Sequence, residues 1–219
     1  MQGLPSMTHM GLTTSPADAS NSPDRILMFR AVIAIFLLLP IVASQAAPPV
    51  ELKSIPLDDF MHGELKPSIK LPLPVPTSYE WAALSKAPVS YSYWMRAQDV
   101  AAANASGDLP SEHGYMYGKI STNVGYDPKT KVFMGANDPA TLEKLKGMFP
   151  FVTTEAFTFG EYPVLLVSMY APDSGKFVYA MYVGLNISTN AAYVAFRPPA
   201  NSKEIGDYVW AELKKSLKK

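Results

Sequence analysis

The stretch from Glu161 to the C-terminus constrains this chain most, because its apolar pattern changes period only once, at a capped boundary. Val164 to Tyr170 is an apolar run, and Asp173-Ser174-Gly175 is a turn signal. Phe177, Tyr179, Met181, Val183 and Leu185 then alternate along one face of a second strand, the period-two mark of a half-buried strand. Asn190 marks another turn. Ala192, Val194 and Phe196 alternate with Tyr193 and Ala195, and Pro198-Pro199 close that strand. Asn201 with Glu204 three residues on forms a capping box, and the helix it opens sets Ile205, Val209, Leu213 and Leu217 on one stripe. An antiparallel sheet with this amphipathic helix laid across one face buries both stripes.

Upstream, Asp138-Pro139 reads as an N-cap followed by proline at the first helical position. Leu142, Leu145 and Met148 or Phe149 form that helix's stripe, and Phe151 to Phe159 is extended. Val89 to Met95 and Tyr115 to Ile120 read as strands. Tyr126 to Lys129 turns the chain into Lys131 to Met134. Thr77 and Glu80 form a second capping box, so a short helix carrying Trp81 and Leu84 is expected, ending near Ala87-Pro88. Ala101 to Asp108 reads as a loop around Gly107-Asp108. Residues 77–219 hold no internal repeat and no linker. They predict a single α+β domain, an antiparallel sheet packed against a few helices including the C-terminal one.

The N-terminal third differs. Residues 1–27 are a polar prefix rich in Ser, Thr and Pro, expected to be non-native or disordered, with Met28 as the expected translation start. Residues 28–46 read as a signal peptide. Arg25 and Arg30 flank the start of an apolar run from Ala31 to Ala43, and Ser44-Gln45-Ala46 supplies small residues for cleavage near Ala46. The run is short for a membrane span of ~20 residues, and the alternative is an uncleaved anchor tethering the protein to a membrane. Residues 47–76 read as a spacer, in which Pro67, Pro72, Pro74 and Pro76 alternate with aliphatic residues in a polyproline-like lead. Leu57, Phe60 and Met61 suggest a short helical turn within it.

Composition narrows the function classes. Formal net charge is zero, and it stays zero when Arg25, Arg30, Asp18 and Asp24 are removed with the leader. A mixed neutral surface carries no electrostatic footprint for nucleic acid. The lysines at 214, 215, 218 and 219 complement the dipole of a last helical turn. The chain has no cysteine, which excludes a disulfide scaffold, thiolate metal sites and a cysteine nucleophile. No G-x-S-x-G elbow and no phosphate-cradling or dinucleotide loop is present.

The aromatic residues are the unusual feature. Tyr91, Tyr93 and Trp94, then Tyr115 and Tyr117, fall in the early strands, and Tyr179, Tyr182 and Tyr193 in the later ones. Aromatic side chains facing out from a sheet stack on a sugar or an apolar ligand, while the same residues facing in serve cross-strand packing. Tyr91, Tyr93, Arg96 and His113 are the candidate ligand-binding residues. His113, beside Glu112, is the one histidine on which a hydrolase could be built, and it lacks the neighbours that zinc needs. No metal and no cofactor is expected. Asn104-Ala105-Ser106 and Asn186-Ile187-Ser188 match the N-glycosylation pattern.

From Asp138 onward the chain resembles the Mog1/PsbP-like family, which includes bacterial periplasmic proteins of the DcrB type. The resemblance lies in the Asp138-Pro139 helix, then Gly160-Glu161-Tyr162-Pro163 opening an apolar strand. Phe177 to Val183, Ala192 to Phe196, and a last helix ending Leu213-Lys214-Lys215-Ser216-Leu217 complete it. It covers the last third of the chain. The resemblance implies an antiparallel sheet between helices and a non-enzymatic accessory or binding role, and it transfers no catalytic set. The expectation is an exported periplasmic or secreted accessory or binding protein that meets another envelope protein through the spacer or a sheet face. An envelope hydrolase using His113 and a membrane-tethered protein are the alternatives.

Overall fold

The computed structural model describes residues 47–62, 67–86, 88, 90–185, 190–200 and 202–218. The prefix, the signal segment, the 186–188 glycosylation pattern and the Asn201 cap lie outside the described residues. In chain order the strands and helices are β1 (Leu52–Pro56), α1 (Leu57–Phe60), β2 (Pro72–Pro76), β3 (Tyr79–Ala82), β4 (Tyr91–Arg96), α2 (Ala97–Ser106), β5 (Tyr115–Ser121), β6 (Gly125–Asp127), β7 (Val132–Met134), α3 (Pro139–Met148), β8 (Phe151–Phe159), β9 (Tyr162–Ala171), β10 (Lys176–Gly184), β11 (Ala191–Arg197) and α4 (Lys203–Leu217).

Seven strands form one sheet in the order β3-β4-β5-β11-β10-β9-β8, and β1-β2 and β6-β7 are separate pairs. Every neighbour in the large sheet is antiparallel. β8 to β11 is a meander, and the chain reaches β8 from β5 by way of β6, β7 and α3. The expected α+β architecture is present, with β10 in register between β9 and β11 over most of its length.

Strand alternation gives the sheet two buried faces. On the first, Tyr179, Met181, Val183, Val164, Leu166 and Phe196 pack under Val209, Trp210, Leu213 and Leu217 of α4. The expected α4 stripe is therefore the docking face, with Ile205 at its margin. Gly206 lets the helix approach, since a Cβ there would lie 2.4 Å from Cε2 of Tyr179. On the second face Leu165, Val167, Val178 and Ala180 meet Phe133 and Ala136 near β7, and Tyr93, Met95 and Tyr115 meet Ala103 of α2.

Residues 47–76 are not a spacer. They belong to the compact unit that runs from Ala47 to the end of the chain. Leu57, Phe60, Leu71, Leu73 and Val75 are at most 1% exposed and sit in the first-face core. The alternation that suggests polyproline geometry is a strand period. The aliphatic residues share one phase and are buried, while Pro72 and Pro74 share the other. Prolines in one phase lose their N–H groups on one side only, which an edge strand tolerates. β2 pairs with β1 alone, so that side is free. The short helical turn is present as α1, and it is fastened to β4. Phe60 stacks on Trp94 at 5.2 Å, its carbonyl accepts from the Trp94 indole N–H at 3.0 Å, and His62 N–H donates to the buried Ser92 hydroxyl at 2.6 Å. Gly118 of β5 leaves room beneath, because a Cβ there would lie 2.5 Å from Met61 Sδ.

Two other expectations are corrected. The helix after Thr77 is the strand β3, in which Tyr79 and Ala82 are buried and pair with Arg96 and Tyr93. Strand pairing against β4 outweighs a local capping signal. The loop at Ala101 to Asp108 is mostly helix α2. Its alanines favour helix, and Gly107, at φ 85°, is the left-handed residue that ends it. Asp138 caps α3 as expected, accepting from Thr141 N–H at 3.1 Å. The α3 stripe is only half-buried at Leu142 and Leu145, and Met148 is 62% exposed.

Candidate functional site

Tyr91 and Tyr93 both project onto the second face of the sheet, as period two requires, and their rings stack at 5.9 Å. Tyr117 of β5 stacks on each of them at 5.9 Å and meets Tyr193 of β11 at 5.6 Å, and Tyr193 meets Tyr182 at 4.9 Å. The result is a line of tyrosines across four strands, along the seam between the two clusters on that face. Lys119, opposite both Tyr91 and Tyr193 in the register, donates to the Tyr91 hydroxyl at 2.9 Å and lies 4.9 Å over its ring. Burial pushes Tyr93 and Tyr182 up to about 12, and it drives Tyr193 higher still. These phenols are therefore neutral hydrogen-bonding groups at physiological pH and offer no base.

The line opens at the β3 edge on a cavity of about 350 Å³, whose walls include His62, Trp81, Leu84, Tyr91 and Tyr93. Trp81 is 47% exposed, and the His62 ring stacks on it at 4.5 Å. The α1 fastening described above puts His62 there. The outer wall is fixed from α2. The Asn104 side-chain oxygen accepts from Ser85 N–H at 2.7 Å and from its hydroxyl at 3.0 Å, and its nitrogen donates to the Ala83 carbonyl. Asn104, in the first glycosylation pattern, thus carries a structural task. A larger groove of about 540 Å³ runs between β1 and α4, walled by Glu51, Lys53, Pro72, Pro74 and Glu212. It has Tyr208 as its one aromatic residue and no stacked platform among its described residues.

Arg96 and His113 stand elsewhere. Arg96 ends β4, five residues and about 17 Å along the strand from Tyr91. Both converge on Asp99 in the first turn of α2. Arg96 Nε and Nη2 donate to its two oxygens at 3.0 and 3.2 Å, and His113 Nδ1 lies 3.0 Å from Oδ1. Tyr79 donates to the His113 carbonyl at 2.8 Å. The carboxylate that faces His113 is Asp99, not Glu112. Among the described residues no serine or threonine hydroxyl bonds to His113. The trio ties the start of α2 to the loop before β5. The guanidinium of Arg96, and then His113, hold the Asp99 carboxyl below the ordinary carboxylate range. A lowered native value means the unfolded chain takes up the proton first. The stability Asp99 contributes is thus complete above the ordinary carboxylate value near pH 4 and is lost as pH falls further. Asp99→Asn is expected to lower the melting temperature at pH 7 and to flatten the acid limb of a stability-against-pH curve below about pH 4.

Of the four sequence-based candidates, then, the structure brings Tyr91 and Tyr93 to one cavity and Arg96 and His113 to a separate ion-pair cluster. His62, Trp81, Lys119 and Asn104 join the first place, and Asp99 the second. Trp81 was legible only as an apolar residue of the expected short helix and His62 only as a residue of the spacer, because no local pattern links residues 62 and 81. Among the described residues no three His, Asp or Glu side chains converge on a metal position, and no helix is long and apolar enough to cross a membrane.

No family model matches this sequence, and no curated protein matches it. Solved structures similar to it include a point mutant of the protein Mog1, at 11% identity and a TM-score of 0.42 over 77% of this chain and 93% of that one. The Ran-binding protein Mog1p of Saccharomyces cerevisiae is similar over the same shares, at 11% identity and a TM-score of 0.41. A superposition this loose bears on neither the activity nor the partner of the chain.

Proposed function

We propose that this chain is an exported, non-enzymatic binding protein that takes a ligand with an apolar ring face in the corner cavity beside Trp81. One observation carries the reading. A half-exposed tryptophan, stacked against an imidazole, stands at a cavity whose other walls are Tyr91, Tyr93, Pro88 and residues 82–85. An aromatic ring held by a stacked neighbour offers stacking area at little cost in side-chain entropy. A sugar ring or a planar aromatic group fits both the volume and the surface. The Tyr91 and Tyr93 hydroxyls at the cavity supply hydrogen-bonding groups beside the aromatic surface. Export rests on the arginine-flanked apolar run before Ala46.

The three tryptophans make the test direct. Trp94 and Trp210 are at most 8% exposed, so Trp81 is the solvent-sensitive reporter. Titration with a panel of oligosaccharides and aromatic compounds should shift or quench tryptophan emission with saturation. Trp81→Ala should remove that response and weaken binding at least tenfold by calorimetry while leaving the melting temperature within a few degrees. Saturable binding that survives Trp81→Ala counts against the site. N-terminal sequencing of the native protein should find a start next to Ala46, and a start before Met28 counts against export by this route.

A further inference from the structure

Natural sheets protect their edges with short strands, prolines, lysines or bulges. β3, at one edge, is four residues long. β8, at the other, is nine residues with none of these devices. Its sequence Phe151-Val152-Thr153-Thr154-Glu155-Ala156-Phe157-Thr158-Phe159 holds no proline and no lysine, and its register with β9 runs through nine pairs without a bulge. Six of the nine residues are exposed, and Phe151 is 58% exposed next to Met148 at 62%. The one charge, Glu155, is bonded to Lys214 of α4.

We propose that β8 pairs with β8 of a second copy, antiparallel across a two-fold axis at Thr154, so that one sheet continues through both subunits. The strand is self-complementary about that residue. Phe151 falls opposite Phe157, Val152 opposite Ala156, Thr153 opposite Glu155, and Thr154 opposite itself. Aromatic pairs and threonine pairs favour antiparallel contact. Two-fold pairing keeps each face continuous only when opposed residues share a phase, so the axis passes through a residue and the other central choices are Thr153, Glu155 and Ala156. A centre at Thr153 sets Phe151 against the Glu155 carboxylate and leaves Phe157 without a partner in the strand. A centre at Glu155 sets two carboxylates face to face. A centre at Ala156 leaves Phe151 without a partner. The Thr154 register avoids all three and covers the exposed Phe151. This symmetry in the strand itself, together with a net charge of zero that leaves two copies unrepelled, favours a second copy over an unrelated partner. An isologous contact of this kind closes at two subunits. The inference is independent of the corner cavity, which lies at the opposite edge.

The lack of native cysteine makes the test clean. Thr154→Cys in the full chain should form a disulfide-linked dimer under mild oxidation in the cells that express it. Directly opposed residues in an antiparallel pair lie about 5 Å apart, within disulfide reach. Thr158→Cys, also exposed, should give no link, because this register separates the two copies of that residue by about 27 Å. Thr154→Lys, which sets two ammonium groups on the axis, should raise the dimer dissociation constant at least tenfold by sedimentation equilibrium with the melting curve of the monomer unchanged. A chain that stays monomeric at every concentration overturns the proposal. So does a dimer that Thr154→Lys leaves intact, or one that links through Thr158→Cys and not through Thr154→Cys.

Discussion

A chain that begins at Thr77 will not fold. Cutting there removes Leu57, Phe60, Met61, Ile69, Leu71, Leu73 and Val75, each at most 3% exposed and all packed in the first-face core. At about 1.5–3 kcal/mol for each buried large apolar side chain, their loss amounts to roughly 10–20 kcal/mol as an upper estimate. That is as large as the whole stability of an ordinary domain, about 5–15 kcal/mol. It also strips cover from Trp94, Met116 and Val194, whose apolar surface would then face water. Residues 77–219 expressed alone should therefore show no cooperative thermal transition. The chain from Ala47 should unfold in one step. A gentler version separates the core role from simple truncation. Phe60→Ala in the longer chain should cost about 3–5 kcal/mol in urea denaturation. A spacer would show neither effect, and a cooperative melt from residues 77–219 would restore the spacer reading.

Why that segment misleads is a question of period. Proline every second residue is compatible both with a polyproline helix and with the free side of an edge strand. Nothing within Pro72–Pro76 distinguishes them; the deciding contact is with Leu57 and the α4 stripe, far along the chain. The same holds at Tyr79–Ala82, where a capping pattern and a strand pattern overlap and the partner β4 selects the strand. By contrast, the C-terminal meander and helix are legible because each element there is long enough to average its own signal. β9 has ten residues, β10 nine and α4 fifteen. α2 was hidden for a different reason: its alanines carry almost no amphipathic signature, and Gly107 marks the end of the helix rather than a loop.

The site shows the same division. Tyr91 and Tyr93 were visible because their alternation is local, and their neighbours Tyr117 and Lys119 follow once the strands are placed side by side. The cavity is not local. Trp81 comes from an edge strand, His62 from the turn after α1, and Asn104 from α2. A histidine read as part of a spacer becomes the stacking partner of an exposed indole only after α1 is fastened to Trp94 and Ser92. Arg96 and His113 were chosen for their chemistry, and they meet on a carboxylate three residues from Arg96 that serves α2.

The second large effect is expected at Gly206. In an exposed helix, Gly→Ala gains about 1 kcal/mol of helix propensity. Here the helix lies on Tyr179, and a new Cβ would sit 2.4 Å from Cε2 and 2.8 Å from Cζ and Oη. The ring cannot swing aside. It is 3% exposed, lies 5.3 Å from the Trp210 ring and 6.3 Å from Phe196, and its hydroxyl donates to Asp207 at 2.7 Å. Overpacking of this kind costs about 1–3 kcal/mol. Gly206→Ala should therefore be destabilising by about 1–2 kcal/mol in spite of propensity, and Gly206→Leu by roughly 3 kcal/mol or more. The cause can be isolated by removing the obstacle. With Tyr179→Ala as background, Gly206→Ala should turn stabilising by up to about 1 kcal/mol, a change of sign that a double-mutant cycle reads directly. If Gly206→Ala stabilises the unaltered chain, α4 does not lie on the sheet as described. If its cost persists without the Tyr179 ring, the constraint is in the helix backbone and not in the contact.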